Sequence, residues 1–375
     1  SNFPLAFSVA GGDTAAALAA GCPVIVKGHN SHPGTCELVA QALHKAVQKS
    51  GLPAGVFSLI MGSGREVGSE LVVAPEVKAV GFTGSLAGGI ALFQLANNRP
   101  EPIPVFAEMG SVNPVVLLPQ ALEQNAESIA AGFVGSLTLG VGQFCVNPGV
   151  AVAIQSPALD RFCSAASAAL AKVPAGVMLN EGIAAAYQKG TAHLAEQPGV
   201  ELVGSGEAVG DKAGFCTQAK LFKVTAEAFL ANPHLQEEVF GHVSVLVSCA
   251  DQAQLLAVVR TLKGQLTGTL QATAAELATQ AELISLLRQK VGRLVVNSFP
   301  TGVEVCDAMM HGGPFPAATD VRFTSVGTAS IARFVRPICF QNYPAELLPP
   351  ELQNANPWAL PRLVNGVKTS AAVDA

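Results

Sequence analysis

The sequence predicts an α/β protein built on parallel strands joined by crossover helices. Two patterns and one compositional fact carry that expectation. Short apolar runs alternate with segments of helical spacing, as at 57–61, 66–74, 77–83 and 86–97. Glycine turns follow the apolar runs, at Gly62-Ser63-Gly64 and Gly84-Ser85. Half of the 375 residues are hydrophobic and 13% are charged, with 37 Gly and 24 Pro. That is enough apolar side chain for a large core and argues against a disordered or fibrous chain.

In order, 15–20 has helical composition and 22–27 reads as a short buried strand. Leu38, Val39, Ala42, Leu43, Ala46 and Val47 give 36–50 helical spacing, stopped by Gly51-Leu52-Pro53. The 57–61 strand runs into its glycine turn and a helix over 66–74. A strand over 77–83 feeds a helix over 86–97. A second set begins with a strand at 115–118 and a helix at 122–139 whose apolar spacing marks it as core. Alternation continues to Val296. Beyond Pro300 the chain is Pro/Gly-rich, and 344–361 reads as an extended tail.

Charge and cysteine usage exclude several classes. The net charge is −5 and no Lys/Arg run occurs, so a nucleic-acid footprint is not expected. The apolar stretch 15–26 is cut by Gly21 and Pro23 and ends at Lys27, too short to span a membrane. The eight cysteines form no CxxC pair, which suits free thiols in a reducing cytoplasm, and no secretory signal pattern opens the sequence. His29, His32 and Cys36 lack a fourth ligand at standard spacing. They read as surface and cap residues, and no metal site is expected.

The chemistry points to Gly142-Gln143-Phe144-Cys145 and to Glu108, which ends the apolar run Pro104-Val105-Phe106-Ala107. A thiol that attacks a carbonyl and a carboxylate that activates water suit that pair. The stretch between them is long enough for a helix to cross, so both can face one cleft. The apolar approach to Glu108 predicts a raised pKa. Gly62 to Gly68 is one residue too long for a G-x-G-x-x-G fingerprint. Gly84-Ser85 opens a helix and offers free amides to a pyrophosphate, although an ordinary strand-to-helix turn reads the same. His311 either lines the cleft or caps a turn.

Along the chain, Asn2-Phe3-Pro4-Leu5, Val24-Ile25-Val26-Lys27, Gly81-Phe82-Thr83-Gly84-Ser85, Glu108-Met109-Gly110, Gly142-Gln143-Phe144-Cys145 and Glu237-Glu238-Val239-Phe240-Gly241 resemble, in order, signature elements of the aldehyde dehydrogenase superfamily. Gly302-Val303-Glu304-Val305, His311-Gly312-Gly313-Pro314-Phe315-Pro316 and Thr324-Ser325-Val326-Gly327-Thr328 resemble a branch containing NADP-preferring α-ketoglutaric semialdehyde dehydrogenases and bacterial long-chain aldehyde dehydrogenases.

The resemblance implies a Rossmann-like cofactor domain and a second α/β catalytic domain, without the family's N-terminal part. The expected division is a partial cofactor-binding domain over 1–113, a thiol domain over 114–318, and a C-terminal return, oligomerisation segment and tail over 319–375. It implies that Cys145 is the nucleophile, that the Asn2 amide and the Cys145 N–H bind the oxyanion, and that Glu108 activates the hydrolytic water. Glu238 would hold the nicotinamide ribose, Phe240 would pack near the nicotinamide, Lys27 would reach the adenosine ribose, and Gly84 and Ser85 would face the pyrophosphate. NAD-preferring relatives carry a glutamate where this chain has Asn30. With Arg65 as a second cation, NADP is the implied cofactor and NAD the weaker one; otherwise Arg65 is a solvent-facing loop charge. Two departures bear on proton transfer: Gly110 is followed by Ser111-Val112, and Gly11-Gly12-Asp13 stands where relatives carry a lysine. The implied reaction is oxidation of α-ketoglutaric semialdehyde to 2-oxoglutarate by a cytoplasmic homodimer or homotetramer. A long-chain aldehyde dehydrogenase, a CoA-acylating relative and a silent member of the fold are the alternatives.

Overall fold

The computed structural model describes residues 8–210 and 214–373. Its contacts divide the chain into two units, Ser1–Phe334 and Val335–Ala375.

The larger unit opens with α1 (Gly12–Ala19), β1 (Val24–Lys27), α2 (Pro33–Lys49), β2 (Phe57–Ile60), α3 (Ser69–Val73), β3 (Val80–Thr83), α4 (Leu86–Asn97) and β4 (Val105–Glu108). β1 pairs in parallel with β2, and β3 with β4. Val26 and Phe57 pack on Cys36, Ala40 and Val47 of α2, while Val105 and Ala107 pack with Val72 and Ala96. The helix expected over 66–74 starts as a wider turn, Gly64–Gly68, before α3. Glycines at both ends of that turn, with Ser63 capping the Glu66 N–H, favour the looser winding.

Next come β5 (Val115–Leu117), α5 (Pro119–Thr138), β6 (Val150–Ile154), α6 (Pro157–Leu170), β7 (Gly176–Val177), α7 (Glu181–Ala195), β8 (Glu201–Ser205), β9 (Cys216–Thr217), β10 (Lys220–Thr225), α8 (Ala226–Ala231), β11 (Val243–Cys249), α9 (Gln252–Thr261), β12 (Gln265–Gln271), α10 (Ala274–Thr279), α11 (Ala281–Lys290) and β13 (Val291–Val296). Seven strands form one sheet in the order β13-β12-β5-β6-β11-β10-β8. Its pairs are parallel except β10 with β8. Alternate residues enter opposite faces. Val116, Val150 and Val152 join the core beneath α7, α9 and α11, whereas Val115, Leu117, Ala151 and Ala153 join the one beneath α5 and α6. Both faces are apolar, as a parallel sheet covered by helices requires. Helix α5 begins with Pro119, and its first free amides, Gln120 and Ala121 N–H, donate to the buried Glu276 carboxylate.

This topology sets two edges against each other. Lys27, Gly62, Gly84 and Glu108 lie at or just past the carboxyl ends of β1 to β4. Asn113, Cys145, Gly241 and Gln265 lie at the amino ends of β5, β6, β11 and β12. The smaller unit carries the hairpin β14 (Arg362–Val364) and β15 (Val367–Thr369). Where an extended tail is expected, 344–361 forms two single turns, Ala345–Leu347 and Pro350–Leu352, each preceded by a proline that presets the backbone.

His242, just before β11, is buried, accepts or donates at 2.9 Å with Thr217 Oγ1, and packs 5.2 Å from the Tyr187 ring. Burial pushes its pKa down to about 4 from 6.5. A neutral buried histidine contributes stability that is full above pH 6.5 and is lost as pH falls toward 4, on the order of 3 kcal/mol. The melting temperature of the wild type should therefore fall more steeply between pH 6.5 and 4 than that of His242→Gln, measured by thermal unfolding across that range. Parallel acid limbs would contradict this.

Candidate active site

Cys145 owes its place to a strained turn. After α5 the backbone passes through Gly140, Val141 and Gly142 at φ 56°, 61° and 67°. A β-branched residue in that region is costly, so Val141 is held there by its surroundings. A Cβ on Gly142 would stand 2.4 Å from Gly241 C and His242 N, so this position admits only glycine. Gln143 Oε1 accepts from Leu179 N–H at 3.0 Å, and Asn147 Nδ2 donates to Gly241 O at 2.9 Å.

Asn113 fastens the thiol loop from beneath. It is fully buried, and its Nδ2 donates to Cys145 O and Asn147 O, both at 2.9 Å. Its Oδ1 accepts from Ser111 Oγ at 2.8 Å and from Thr267 Oγ1 at 3.0 Å. Gln265 Oε1 accepts from Val112 N–H at 2.7 Å and Asn113 N–H at 3.1 Å. The residues after Glu108 are thus tied to the start of β12 and to the carbonyl of Cys145.

Glu108 is reached from a distant segment. Met109 N–H donates to Ala317 O and Ala107 N–H to Thr319 Oγ1, at 2.8 and 2.9 Å. Those bonds bring His311 and Ser325 to either side of the carboxylate. His311 Nε2 lies 3.1 Å from Glu108 Oε1 and 3.2 Å from Cys145 Sγ. Ser325 Oγ donates to Glu108 Oε2 at 2.5 Å. His311 Nδ1 is buried with no hydrogen-bond partner, so the ring meets both reactive groups through Nε2. The sequence left His311 undecided between cleft and turn; it is in the cleft. Ser325 was visible only as part of a branch motif, because a contact across more than two hundred residues has no local signature.

The electrostatics correct one expectation. Burial raises the pKa of the Glu108 carboxyl, but His311 beside it and hydrogen bonds from His311, Ser325 and Cys145 outweigh that and hold it below the ordinary value. The apolar approach was legible; the donors that overturn it were not. Burial, followed by the charge and hydrogen bonding of Glu108, pushes the Cys145 thiol well above its ordinary value. The resting pair is therefore a protonated thiol against an ionised carboxylate. The ligand atoms of Glu108, Cys145 and His311 lie within 4.8 Å of one another, close enough to suit a divalent ion as well as proton transfer.

Glu238 approaches from the β10–β11 side. Its residue surface is largely exposed, but a Cβ on Gly110 would stand 2.4 Å from Glu238 Oε2, and the carboxyl accepts from Ser111 N–H. Burial of the carboxyl, partly offset by that hydrogen bond, pushes its pKa up to about 7. Glu238 and Phe240 line one cleft with Ser111 and Phe144. Lys27 ends β1, donates to Gly62 O at 3.3 Å, and is in register with Ile60, just ahead of the turn that carries exposed Arg65. Asn30 is exposed in the next loop. Burial, with His32 and Lys27 adding positive charge, pushes the pKa of His29 down to about 4. Gly84 and Ser85 are exposed at the start of α4, where Ser85 caps Gly88 N–H. Lys27 and Arg65 are thus cations at the ends of β1 and β2, and Gly84-Ser85 opens α4 at the end of β3. Asn2 lies outside the described residues. Asp13, in the Gly11-Gly12-Asp13 stretch, pairs with the buried Arg333 at 2.6 Å.

Removing the Asn113 amide takes a donor from the carbonyls of Ser111, Cys145 and Asn147. Asn113→Ala should cost about 2–4 kcal/mol in denaturant unfolding and lower kcat while Cys145 remains present. Wild-type stability would show that the loop is held elsewhere.

A profile of the aldehyde dehydrogenase family matches residues 2–314. The chain is 58% identical over 366 residues to alpha-ketoglutaric semialdehyde dehydrogenase 2 of Azospirillum brasilense, covering 98% of this chain and 69% of that protein. It is 50% identical over 370 residues to an alpha-ketoglutaric semialdehyde dehydrogenase of Acinetobacter baylyi, covering 98% and 70%. Among solved structures, a glyceraldehyde-3-phosphate dehydrogenase of Methanocaldococcus jannaschii complexed with NADP superposes with a TM-score of 0.72 at 18% identity, covering 89% of this chain and 70% of that one. Proline utilization A of Bdellovibrio bacteriovorus gives 0.74 at 23% identity, covering 88% and 33%. These two support the fold alone. The chain belongs to the aldehyde dehydrogenase family.

Proposed function

We propose that this chain oxidises α-ketoglutaric semialdehyde (2,5-dioxopentanoate) to 2-oxoglutarate with NADP. The observation that carries the chemistry is the mutual contact of Cys145, Glu108 and His311. The substrate rests on the two relatives at 58% and 50% identity. A nicotinamide cofactor, NAD or NADP, serves this family and supplies the hydride acceptor when bound. Preference for NADP is supported by Lys27, Arg65 and the absence of an acid at Asn30. Gly84, Ser85, Glu238 and Phe240 complete the proposed cofactor cleft.

In this reading the ionised Glu108 takes the thiol proton, and the His311 N–H steadies the thiolate as it forms. The Cys145 sulfur adds to the aldehyde carbon. The oxyanion receives the Cys145 backbone N–H and the Asn2 amide, each such donor contributing roughly 3–4 kcal/mol to the transition state. Departure of the hydride leaves a thioester on Cys145. Glu108 passes the thiol proton to solvent and, ionised again, deprotonates water; the resulting hydroxide attacks the thioester, the acid leaves, and the departing Cys145 thiolate takes that second proton back from Glu108. Ser325 and His311 hold the carboxylate in line for both transfers. The proposed division assigns cofactor binding to 1–113, the thiol to 114–318 and oligomerisation, as a dimer or tetramer, to 319–375. No helix among the described residues is long and apolar enough to cross a membrane. The cysteines are thiols and not disulfides, which suits the reducing cytoplasm as the working compartment.

Glu108→Gln tests the assignment. With 2,5-dioxopentanoate and NADP it should give a burst of about one equivalent of NADPH, slower than in the wild type, and then stop, because neither proton transfer retains its base. Sustained turnover at the wild-type rate would place water activation on another group.

A further inference from the structure

Arg293 has no part in the chemistry described so far. It is on β13, in register with Thr267 of β12. Register partners leave a sheet on the same face. Thr267 Oγ1 donates to Asn113 Oδ1, and Asn113 fastens the Cys145 carbonyl. Arg293 therefore stands over the same amino edge of the sheet as the thiol loop.

Its guanidinium is fixed there by two carbonyls. One terminal nitrogen donates to Pro300 O at 2.6 Å and the other to Gly302 O at 2.7 Å. The next residue, Val303, packs with Cys145 and Phe144 against Val146, Leu266 and Ala317. The cation is thus tied to the loop that walls one side of the thiol.

What Arg293 lacks is an anion. Among the described residues no carboxylate pairs with it, whereas Arg333 is paired with Asp13 and Arg322 with Asp320. Its Nε is buried and has no hydrogen-bond partner. A desolvated donor on an uncompensated cation is costly, and a carboxylate is its planar match.

We propose that Arg293 receives the carboxylate of the substrate and selects aldehydes that carry an acidic group at the far end over neutral aldehydes of similar length. The proposal rests on the semialdehyde reading above. In 2,5-dioxopentanoate the aldehyde is at one end and the carboxylate at the other, so Cys145 and Arg293 would hold opposite ends of one molecule.

The test compares kcat/KM for glutaric semialdehyde, 2,5-dioxopentanoate and pentanal in the wild type, Arg293→Lys and Arg293→Gln. Loss of one charge-assisted contact should lower the acid-to-pentanal ratio about 10- to 150-fold in Arg293→Gln, with Arg293→Lys in between. Glutarate should also compete with pentanal in the wild type and lose that effect in Arg293→Gln. An unchanged ratio, whether both activities fall together or neither falls, overturns the proposal and leaves Arg293 as a clamp on the 300–302 loop. If Arg293→Gln does not fold, the ratio in Arg293→Lys and glutarate competition in the wild type decide: no shift in the one and no competition in the other overturns it. A wild type that oxidises glutaric semialdehyde and pentanal but not 2,5-dioxopentanoate would remove the substrate reading, while the glutaric-to-pentanal ratio still decides on Arg293.

Discussion

The buried amide of Asn113 links the segment after Glu108, the carbonyl of Cys145 and the hydroxyl of Thr267, and much of the site's geometry follows from it. One planar group with two donors and one acceptor sets the relative height of three strands at their amino ends. The thiol is carried by a turn with three consecutive left-handed residues, which would relax toward ordinary backbone without such a tether. Asn147 extends the tether to Gly241, so the segment bearing Glu238 and Phe240 is held to the same frame. Placement of a nucleophile within hydrogen-bond reach of its base is thus a property of the sheet edge and needs no lid.

Two facing edges explain why chemistry and cofactor candidates lie close together yet come from separate parts of the sequence. Carboxyl ends of parallel strands expose helix N-termini and suit phosphates. Amino ends of the seven-stranded sheet carry the thiol. Glu108 belongs to the first edge and Cys145 to the second, and His311, from a third segment, touches both. The charge of His311, with hydrogen bonds from His311, Ser325 and Cys145, holds the buried carboxylate ionised where its apolar surroundings alone would favour the acid. The neighbouring carboxyl of Glu238 has fewer donors and a pKa near 7. Two carboxyls beside one thiol therefore differ in proton affinity: His311 and three hydrogen bonds outweigh burial at Glu108, and burial prevails at Glu238.

Much of this was legible in the sequence, and the reasons differ by element. The helix over 86–97 was read to the residue because Ser85 caps it and its period is uninterrupted. The apolar run before Glu108 and the glycines around Cys145 marked both reactive residues, since strand ends and close backbone approaches leave local traces. The direction of the Glu108 pKa was misread, because the donors come from residues 311 and 325 and from the thiol itself. Asn113 was not singled out: a buried amide between two strands looks like any turn residue until its partners are known. Arg293 was likewise silent, since what singles it out is that no carboxylate among the described residues pairs with it, which only the fold displays.

The central claim is that Cys145 carries the acyl group between the two half-reactions. Rapid acid quench of the enzyme with 2,5-dioxopentanoate and NADP, followed by peptide mass mapping, tests it most directly. The account predicts that the mass of the added acyl group appears on the peptide containing Cys145, rises with the first equivalent of NADPH, and is removed by hydroxylamine. An acyl mass on any of the other seven cysteines, or NADPH formation with no covalent adduct at all, would contradict it.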